Sequence, residues 1–245
     1  MVAVILNGGT STRMAPYSDE VIPKGLLPVR KNKNGAMDPL LFVQLEQLEE
    51  AGIRNVIVVA NRNNEKAFRY AIKQFNSSLN VSVIIQDRAG QLNAVVTVAR
   101  TLRNGFIQDD FLVIDGDTYL RYDSDFKYFV QSFERDPSTI LTAICRVNRH
   151  DKYAMLTTDA ERVLTIEEKP AEWIDKGMLA KIGILGIPRA LLPIKETNLS
   201  QGTTDFIAMF LSTGLCAVRF HDIPHAKDIG TWDDYLIILE RGMYL

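Results

Sequence analysis

Cysteine is scarce in this chain of 245 residues. Its two cysteines, Cys145 and Cys216, each stand inside an apolar run (TAICRV and GLCAVRF) of the kind that forms strands. We therefore predict two free, buried thiols in strands, and neither a disulfide bond nor a cysteine metal site.

An excess of one charge is also missing. The 28 lysine and arginine residues nearly balance the 30 aspartate and glutamate residues, which leaves a net charge of −2. This balance gives no electrostatic basis for a nucleic acid partner or for an anionic membrane. A small anionic substrate remains compatible with the composition, because it requires only a local basic site.

Long apolar runs are absent as well. No stretch approaches the ~20 apolar residues that a membrane span requires, and the opening VAVIL is interpreted as a core strand rather than a secretion signal. We predict a cytoplasmic protein with no membrane partner. The sequence is compatible with a homo-oligomer and does not specify one.

Histidine is limited to His150, His221 and His225, none of which stands in a triad-like context. We interpret all three as surface or turn residues. A mechanism based on a histidine nucleophile or base is therefore disfavoured.

Strand-like and helix-like segments alternate in the first half of the chain. The apolar runs at 2–6, 55–60, 81–86 and 111–114 predict strands, and the segments at 39–51, 65–75 and 92–102 predict helices. Strands separated by helix-length segments form right-handed βαβ units. We therefore expect an α/β fold with a mostly parallel sheet and helices on both faces.

The pattern changes after about residue 138. Strand-like segments with short connections at 139–147, 154–158, 163–167 and 181–187 predict an antiparallel extension of the sheet. A helix at 204–212, a strand at 215–220 and a helix at 232–241 complete the prediction. Since no linker or internal repeat interrupts the chain, we predict a single domain over residues 1–245.

Three polar or glycine-rich loops follow predicted strands. They are NGGTSTR after the first strand, QDRAGQ after the third and DGDT after the fourth. In open α/β sheets, ligands bind beyond the carboxyl ends of the strands. We expect these three loops to share one rim and to form the functional site.

The first of these loops contains adjacent glycines, Gly8 and Gly9, followed by hydroxyl side chains. Adjacent glycines let the backbone approach a ligand and direct N–H groups at an anion. Arg13 and Lys24 would bring two positive charges to a triphosphate. Taken alone, the two glycines favour a structural turn, and the segment is not a Walker A loop.

A longer pattern is more specific. The segments GGTSTRM (8–14), PYS (16–18) and PKGLLPV (23–29) are followed, in order, by GQLNA (90–94), GD (116–117), EKP (168–170), GI (183–184) and DIGT (228–231). Together they resemble the signature of the sugar nucleotidylyltransferase family, which includes glucose-1-phosphate thymidylyl-, uridylyl-, cytidylyl- and guanylyltransferases. The resemblance implies a Rossmann-like (GT-A-like) fold. Its nucleotide-binding part would cover about residues 1–120 and its antiparallel, sugar-binding part about 138–220.

The resemblance also implies a role for each matched residue. The catalytic residues would be Arg13, Lys24 and Lys169. The nucleotide-binding residues would be Asn7, Gly8, Gly9, Thr10, Ser11, Thr12, Gln86, Gly90, Asp115 and Gly116. The sugar-binding residues would be Tyr153, Ala154, Glu168 and Lys181.

Two aspartates are the candidate metal ligands. Asp117 ends a buried-type strand and Asp228 precedes the last helix, where an isolated aspartate is also a common turn residue. By the resemblance, both would hold Mg²⁺, which typically takes one or two carboxylates together with phosphate oxygens and water. Asp115 is either a supporting group or part of the turn.

The implied reaction joins a nucleoside triphosphate (NTP) to a sugar 1-phosphate and releases pyrophosphate. The second pKa of such a phosphate is ~6, so the nucleophile is mostly dianionic near neutral pH and needs no general base. The barrier is the repulsion between two anions, which a metal ion and cationic side chains relieve.

The sugar side departs from the common pattern. The EEK run at 167–169 usually marks a solvated edge, but in this order it resembles the E-K-P motif, with Glu168 accepting sugar hydroxyls and Lys169 meeting the sugar phosphate. Ala154 and Lys181 stand where relatives often have glycine and asparagine. These two residues leave open whether the substrate sugar is glucose or another sugar.

Ser11 is a further departure, because it replaces the second signature glycine, and one extra residue separates Ser18 from Pro23. A serine there is expected to narrow the phosphate pocket or to adopt a strained conformation. Two alternatives stay open. In the first, the chain is a non-catalytic nucleotide-sugar-binding or regulatory subunit, but the retention of both metal carboxylates argues against this. In the second, the chain transfers a cytidylyl or guanylyl group to a polyol phosphate.

Overall fold

The computed structural model describes residues 1–9, 22–86, 109–173, 177–191 and 202–242. Numbered in chain order, the strands are β1 (Val2–Asn7), β2 (Pro28–Lys31), β3 (Met37–Pro39), β4 (Asn55–Ala60), β5 (Asn80–Ile85), β6 (Phe111–Asp115), β7 (Thr118–Tyr119), β8 (Ile140–Arg146), β9 (Ala154–Asp159), β10 (Arg162–Glu168), β11 (Leu179–Ile187), β12 (Val218–Asp222) and β13 (Lys227–Asp228). The helices are α1 (Leu40–Glu50), α2 (Glu65–Gln74), α3 (Ser124–Glu134), α4 (Thr203–Thr213) and α5 (Trp232–Gly242).

Nine of the described strands form one sheet in the order β5-β4-β1-β6-β11-β8-β12-β10-β9. In its first half, β1 lies between β4 and β6 and is parallel to both, and β5 is parallel to β4. All residues of β1 are buried, as expected for a parallel strand covered on both faces. The predicted parallel half of the sheet is confirmed.

The second half of the sheet is mixed. β11 is antiparallel to β6, β8 and β9, and β10 is antiparallel to β9 and β12. The antiparallel extension is therefore present, but β12 runs parallel to β8. This parallel pair was not predicted. The chain passes from β11 through α4 to β12, and β12 then runs in the same direction as β8.

Helices cover both faces of the sheet, as predicted. On one face, α1, α2 and α3 contribute Leu41, Leu45, Phe68, Phe129 and Phe133 to a core that includes Ile5 and Val58. On the other face, α4 contributes Phe206, Ile207 and Phe210 to a second core. The sheet is the layer between these two apolar clusters.

Several predicted elements need correction. The strand predicted at 215–220 begins only at Val218, and Leu215 is 75% exposed. Cys216 therefore precedes the strand and is partly exposed, whereas Cys145 is buried in β8 as predicted, and both thiols are free. His221 is partly buried in β12 against the ring of Phe129, so it is neither a surface nor a turn residue. The helix predicted at 92–102 lies outside the described residues.

Among the helices of the described part of the chain, none is both long enough and apolar enough to cross a bilayer.

Candidate active site

The carboxyl ends of β1 and β6 meet at Asn7. A Cβ atom at Gly25 or at Gly116 would collide with the side-chain oxygen of Asn7, so both glycines let their loops pack directly against this side chain. The N–H of Gly116 also donates to the carbonyl of Leu6 at 3.0 Å. The start of the loop after β1, the PKGL segment and the DGD loop therefore share one rim. Of the three loops predicted to meet there, NGGTSTR is described only as far as Gly9 and QDRAGQ only at Gln86, and the PKGL segment was not among them.

The turn between β4 and α2 holds the backbone of the first loop. Asn64 Nδ2 donates to the carbonyl of Asn7 at 2.9 Å, and Asn61 Nδ2 donates to the carbonyl of Gly8 at 3.2 Å. Neither asparagine was predicted to belong to the site. The available signal was the NRNN run directly after a parallel strand that ends at the same rim.

Gln86 follows β5 and lies over Gly8, where its side-chain oxygen occupies the space that a Cβ atom would need. The predicted nucleotide-binding residues Gly8 and Gln86 are thus neighbours, and no described residue lies within 4 Å of the place that a Cβ atom of Gly9 would take. Thr10, Ser11, Thr12, Arg13 and Gly90 lie outside the described residues.

The two candidate metal ligands are also neighbours. Strands β7 and β13 pair so that Asp228 lies opposite Thr118, and the N–H of Ile229 donates to the carbonyl of Asp117 at 2.8 Å. Thr118 Oγ1 donates to Asp228 Oδ1 at 2.7 Å. Lys24 Nζ lies 2.9 Å from Asp117 Oδ2, which brings the PKGL lysine to the same place.

The electrostatics at Asp228 are unfavourable for a negative charge. Burial and the nearby carboxylates of Asp117 and Asp115 raise the pKa of Asp228 to about 7, while the hydrogen bond from Thr118 and the ammonium of Lys181 act in the opposite direction. The carboxylates of the described residues do not by themselves make a complete metal site of three or more acidic, imidazole or thiol ligands. A divalent cation there would need further oxygens from a substrate.

A cavity of about 370 Å³ opens beside these carboxylates. Its lining includes the predicted site residues Asp115, Asp117, Tyr153, Ala154, Glu168, Lys169, Lys181 and Asp228. The sequence therefore identified residues from five separate segments that surround one pocket. A cavity of this volume is in the usual range for small-molecule sites, which is ~300–1,000 Å³.

The EKP segment forms one edge of the cavity. Glu168 pairs with Ala154 across β10 and β9, accepts a hydrogen bond from Thr204 Oγ1 at 2.9 Å and lies 3.2 Å from Lys169 Nζ. The backbone of Lys169 has a φ of 43°, a conformation that a residue with a side chain adopts at a cost. Thr204, at the start of α4, was not predicted to belong to the site, because it stands in none of the motifs.

Tyr153 stands next to this edge. Burial, then the charges of Asp228 and Asp234, raise the pKa of Tyr153 to about 12. Its phenol therefore keeps its proton and is available as a hydrogen-bond donor to a ligand in the cavity.

The DIGT segment is fixed by the start of α5. The N–H and the hydroxyl of Thr231 donate to Asp234 Oδ2 at 2.9 and 2.7 Å, and the N–H of Asp234 donates back to Thr231 Oγ1 at 3.3 Å. This reciprocal capping holds the turn that follows Asp228. On β11, a Cβ atom at Gly183 would collide with Thr118, so the glycine lets the second half of the sheet approach β7.

The family profile described as nucleotidyl transferase matches residues 2–241. The chain belongs to the nucleotidyl transferase family.

Two curated relatives illustrate the family. The chain is 29% identical over 185 residues to glucose-1-phosphate thymidylyltransferase of Streptomyces griseus. The aligned region covers 75% of this chain and 48% of that protein. It is 25% identical over 243 residues to mannose-1-phosphate guanylyltransferase 1 of Arabidopsis thaliana. This aligned region covers 96% of this chain and 63% of that protein. In the curated relatives that it matches, the chain spans roughly half to three-fifths of their length.

Solved structures of nucleotidyl transferases share the fold. UDP-glucose pyrophosphorylase, solved in complex with UDP-glucose, superposes with a TM-score of 0.80 at 18% identity and covers 99% of this chain and 98% of that chain. At this identity the likeness establishes the fold alone. It confirms the predicted Rossmann-like α/β class.

Proposed function

We propose that this nucleotidyl transferase family member joins an NTP to a sugar 1-phosphate and releases pyrophosphate. The observation that carries the proposal is the meeting of Asp117 and Asp228 beside a cavity that Lys169 also lines. The names of the relatives, a glucose-1-phosphate thymidylyltransferase and a mannose-1-phosphate guanylyltransferase, support the substrate class.

The nucleotide would occupy the rim above β1. There the backbone at Asn7, Gly8 and Gly9 is held by two asparagine side chains, and Gln86 is placed next to Gly8. Asp115 and Gly116 border the same rim. Lys24, and Arg13 by the resemblance of its motif, would meet the triphosphate, since the ammonium of Lys24 already faces the cluster of carboxylates.

The donor set fits Mg²⁺, which is the cofactor that we propose. Three aspartates are close enough for the charges of two of them to raise the pKa of the third, which is the environment that a divalent cation stabilises. Asp117 and Asp228 would hold the ion, and phosphate oxygens would complete its coordination. Bound there, Mg²⁺ would neutralise part of the charge that builds up around the α-phosphorus.

The reaction needs no proton transfer. An oxygen of the sugar phosphate forms a bond to the α-phosphorus, and the bond from that phosphorus to the bridging oxygen of pyrophosphate breaks. Lys24 would stabilise the triphosphate, and Lys169 would stabilise the attacking phosphate, because each brings an ammonium to the cavity region. A histidine base has no part in this scheme.

The sugar would lie along the edge formed by β9 and β10. Glu168 would accept hydrogen bonds from sugar hydroxyls and the protonated phenol of Tyr153 would donate one. Because both substrates are phosphorylated metabolites, we place the reaction in the cytoplasm.

The proposal is tested by pyrophosphate release. The protein is mixed with Mg²⁺, each common NTP in turn, and a panel of sugar 1-phosphates that includes those of glucose and mannose. We expect release with at least one pair and none without the sugar phosphate. The absence of release across the whole panel would refute the activity.

Asp117→Asn tests the site itself. The change keeps the size of the side chain and removes one negative ligand, so we expect turnover to fall by ~100-fold or more. Asp159→Asn is the matched control, because Asp159 is exposed at the end of β9 away from the cavity lining, and it should keep wild-type turnover. Equal turnover in both variants would contradict the proposed role of Asp117.

A further inference from the structure

Lys181 differs from the other lysines of the cavity in its burial. The side chain of Lys169 is 48% exposed, and Lys152 is exposed at the rim, whereas Lys181 on β11 is only 8% exposed. Lys181 nonetheless lines the cavity. It therefore places a positive charge at the inner end of the pocket.

This buried charge has no direct partner. Within the described ranges, no side-chain hydrogen bond or ion pair engages the ammonium of Lys181. Its charge acts on Asp228, but Oδ1 of that carboxylate accepts the hydroxyl of Thr118. Because Lys181 lines the cavity and its ammonium donates to no side chain there, it is available to donate hydrogen bonds to an anion bound in the pocket.

The register of the strands shows what surrounds Lys181. Ala180 pairs with Met155 across β11 and β9, and the adjacent residues Lys181 and Ala154 both line the cavity. Ala154 in turn pairs with Glu168. The small side chain of Ala154 thus separates a cation from a carboxylate along one wall of the cavity, and it leaves room for a ligand that contacts both.

We propose that Lys181 binds the phosphate group of the sugar phosphate and holds it next to Asp228. This inference rests on the proposed function and adds a second phosphate-binding lysine to it. Lys169 approaches from the exposed edge, and Lys181 from the inner end. A divalent cation on Asp117 and Asp228 would add positive charge beside Lys181, and anionic oxygens are then the ligand that balances both.

A neutral ligand fits the position less well. A sugar hydroxyl would offer the ammonium of Lys181 one neutral acceptor, whereas a phosphate dianion supplies negative charge and several acceptor oxygens. Lys181 is thus assigned to the selection of a phosphorylated acceptor.

Lys181→Met is the main test, since methionine keeps an unbranched stem and removes the charge. Binding of inorganic phosphate and of the 1-phosphates of glucose and mannose is measured by calorimetry with Mg²⁺ and without NTP. We expect the dissociation constants to rise ~10- to 100-fold, the range for one charged hydrogen bond. Lys127→Met, at an exposed position of α3, is the matched control and should bind like the wild type.

The kinetic readout separates a phosphate contact from a general loss of structure. In Lys181→Met, the KM for the sugar phosphate should rise ~10-fold or more, while the KM for the NTP changes by less than about threefold. Lys181→Arg should recover part of the loss. Dissociation constants within about twofold of the wild type for every phosphate probe would overturn the inference, and so would a wild-type protein that binds none of them.

A measurement on the unaltered protein covers the case in which Lys181→Met does not fold. Lysine acetylation is followed by mass spectrometry with and without saturating sugar 1-phosphate. Acetylation of Lys181 should slow when the ligand is present, while that of Lys127 stays constant. Equal rates at Lys181 in both conditions would count against the contact.

The two proposals fail in different ways. Pyrophosphate release by the wild type together with unchanged phosphate binding in Lys181→Met would remove the inference and leave the activity in place. Loss of phosphate binding in that variant, with no pyrophosphate release from any pair of substrates, would remove the activity and leave the binding site.

Discussion

At the residue scale, Asp228 is subject to two opposing requirements. The fold buries it beside Asp117 and Asp115, which raises the pKa of its carboxyl to about 7, yet the proposed metal site needs the charged form. The ligand-free protein is therefore destabilised by this residue at neutral pH, and a bound cation would relieve that cost.

The stability of the ligand-free protein should depend on pH through Asp228. Because the folded pKa lies above the unfolded value, the folded state holds a proton that the unfolded state has already lost, so stability falls as pH rises from about 4 to about 7. Asp228→Asn removes this loss. Between about pH 5 and pH 8, we expect the wild type to lose roughly 2 kcal/mol more unfolding free energy than the variant.

Urea unfolding at the two pH values, in a chelating buffer, measures this difference. Asparagine keeps the carbonyl oxygen that accepts the hydrogen bond from Thr118, so the variant isolates the charge. Parallel pH profiles for the two proteins would show that Asp228 does not titrate as described.

Residues of the ordered motifs could be predicted to lie near one another, whereas the asparagines that support the rim could not. Asp117, Asp228 and Lys24 belong to ordered motifs, and the structure brings them together as expected. Asn61 and Asn64 support the same rim by donating to backbone carbonyls. Since every residue has a backbone carbonyl, the sequence does not show which carbonyl an asparagine side chain will bind.

At the element scale, α1 supports the loop that carries Asp117. Gln44 Nε2 donates to the carbonyl of Thr118 at 2.9 Å and is 3.3 Å from that of Asp115. One turn further along, Gln47 Nε2 donates to the carbonyl of Leu120 at 3.1 Å. Both glutamines are buried, so the helix uses two polar side chains inside the core to hold the loop.

Gln44→Ala should weaken both the fold and the activity. The change leaves the carbonyl of Thr118 without its donor inside the core, which costs about 1–3 kcal/mol of unfolding free energy. It also frees the loop next to Asp117, so turnover should fall by ~10-fold. Urea unfolding and the pyrophosphate assay give the two values.

Gln131→Ala is the control for this change, since Gln131 is exposed on α3 and should alter neither value beyond about 0.5 kcal/mol. A Gln44→Ala protein with wild-type stability and turnover would show that the loop does not depend on α1.

Some elements escaped prediction for physical reasons. Helix α3 was not predicted, although Phe126, Phe129 and Phe133 repeat at helical spacing, because aromatic residues are weak helix formers and the helix depends on its packing against the sheet. The strand predicted from residue 215 counted Leu215 as a core residue. Hydrophobicity alone does not distinguish a buried leucine from an exposed one.

At the scale of the whole molecule, the two halves of the sheet are joined between β6 and β11. Ile184 pairs with Ile114, and Leu185 with Val113, so the parallel half continues into the mixed half without a break. The proposed nucleotide site and the proposed sugar site therefore lie on one sheet.

Ligands should stabilise the molecule as one unit. An NTP that binds with Mg²⁺ at ~100 times its dissociation constant adds about 2.7 kcal/mol, which corresponds to a rise in Tm of about 5–11 °C for a chain of this size. We expect a single thermal transition that shifts as a whole, with a smaller shift for Asp117→Asn. Two transitions, of which one shifts, would contradict the predicted single domain.

The pairing of β7 with β13 has a consequence for synthesis. Thr118 and Asp228 are 110 positions apart, so the second aspartate leaves the ribosome long after the first strands can pair. A nascent chain held before residue 227 would contain Asp117 without its neighbour. The proposed metal site could then assemble only after Asp228 has been synthesised, when strands β1 to β12 are already part of the nascent chain.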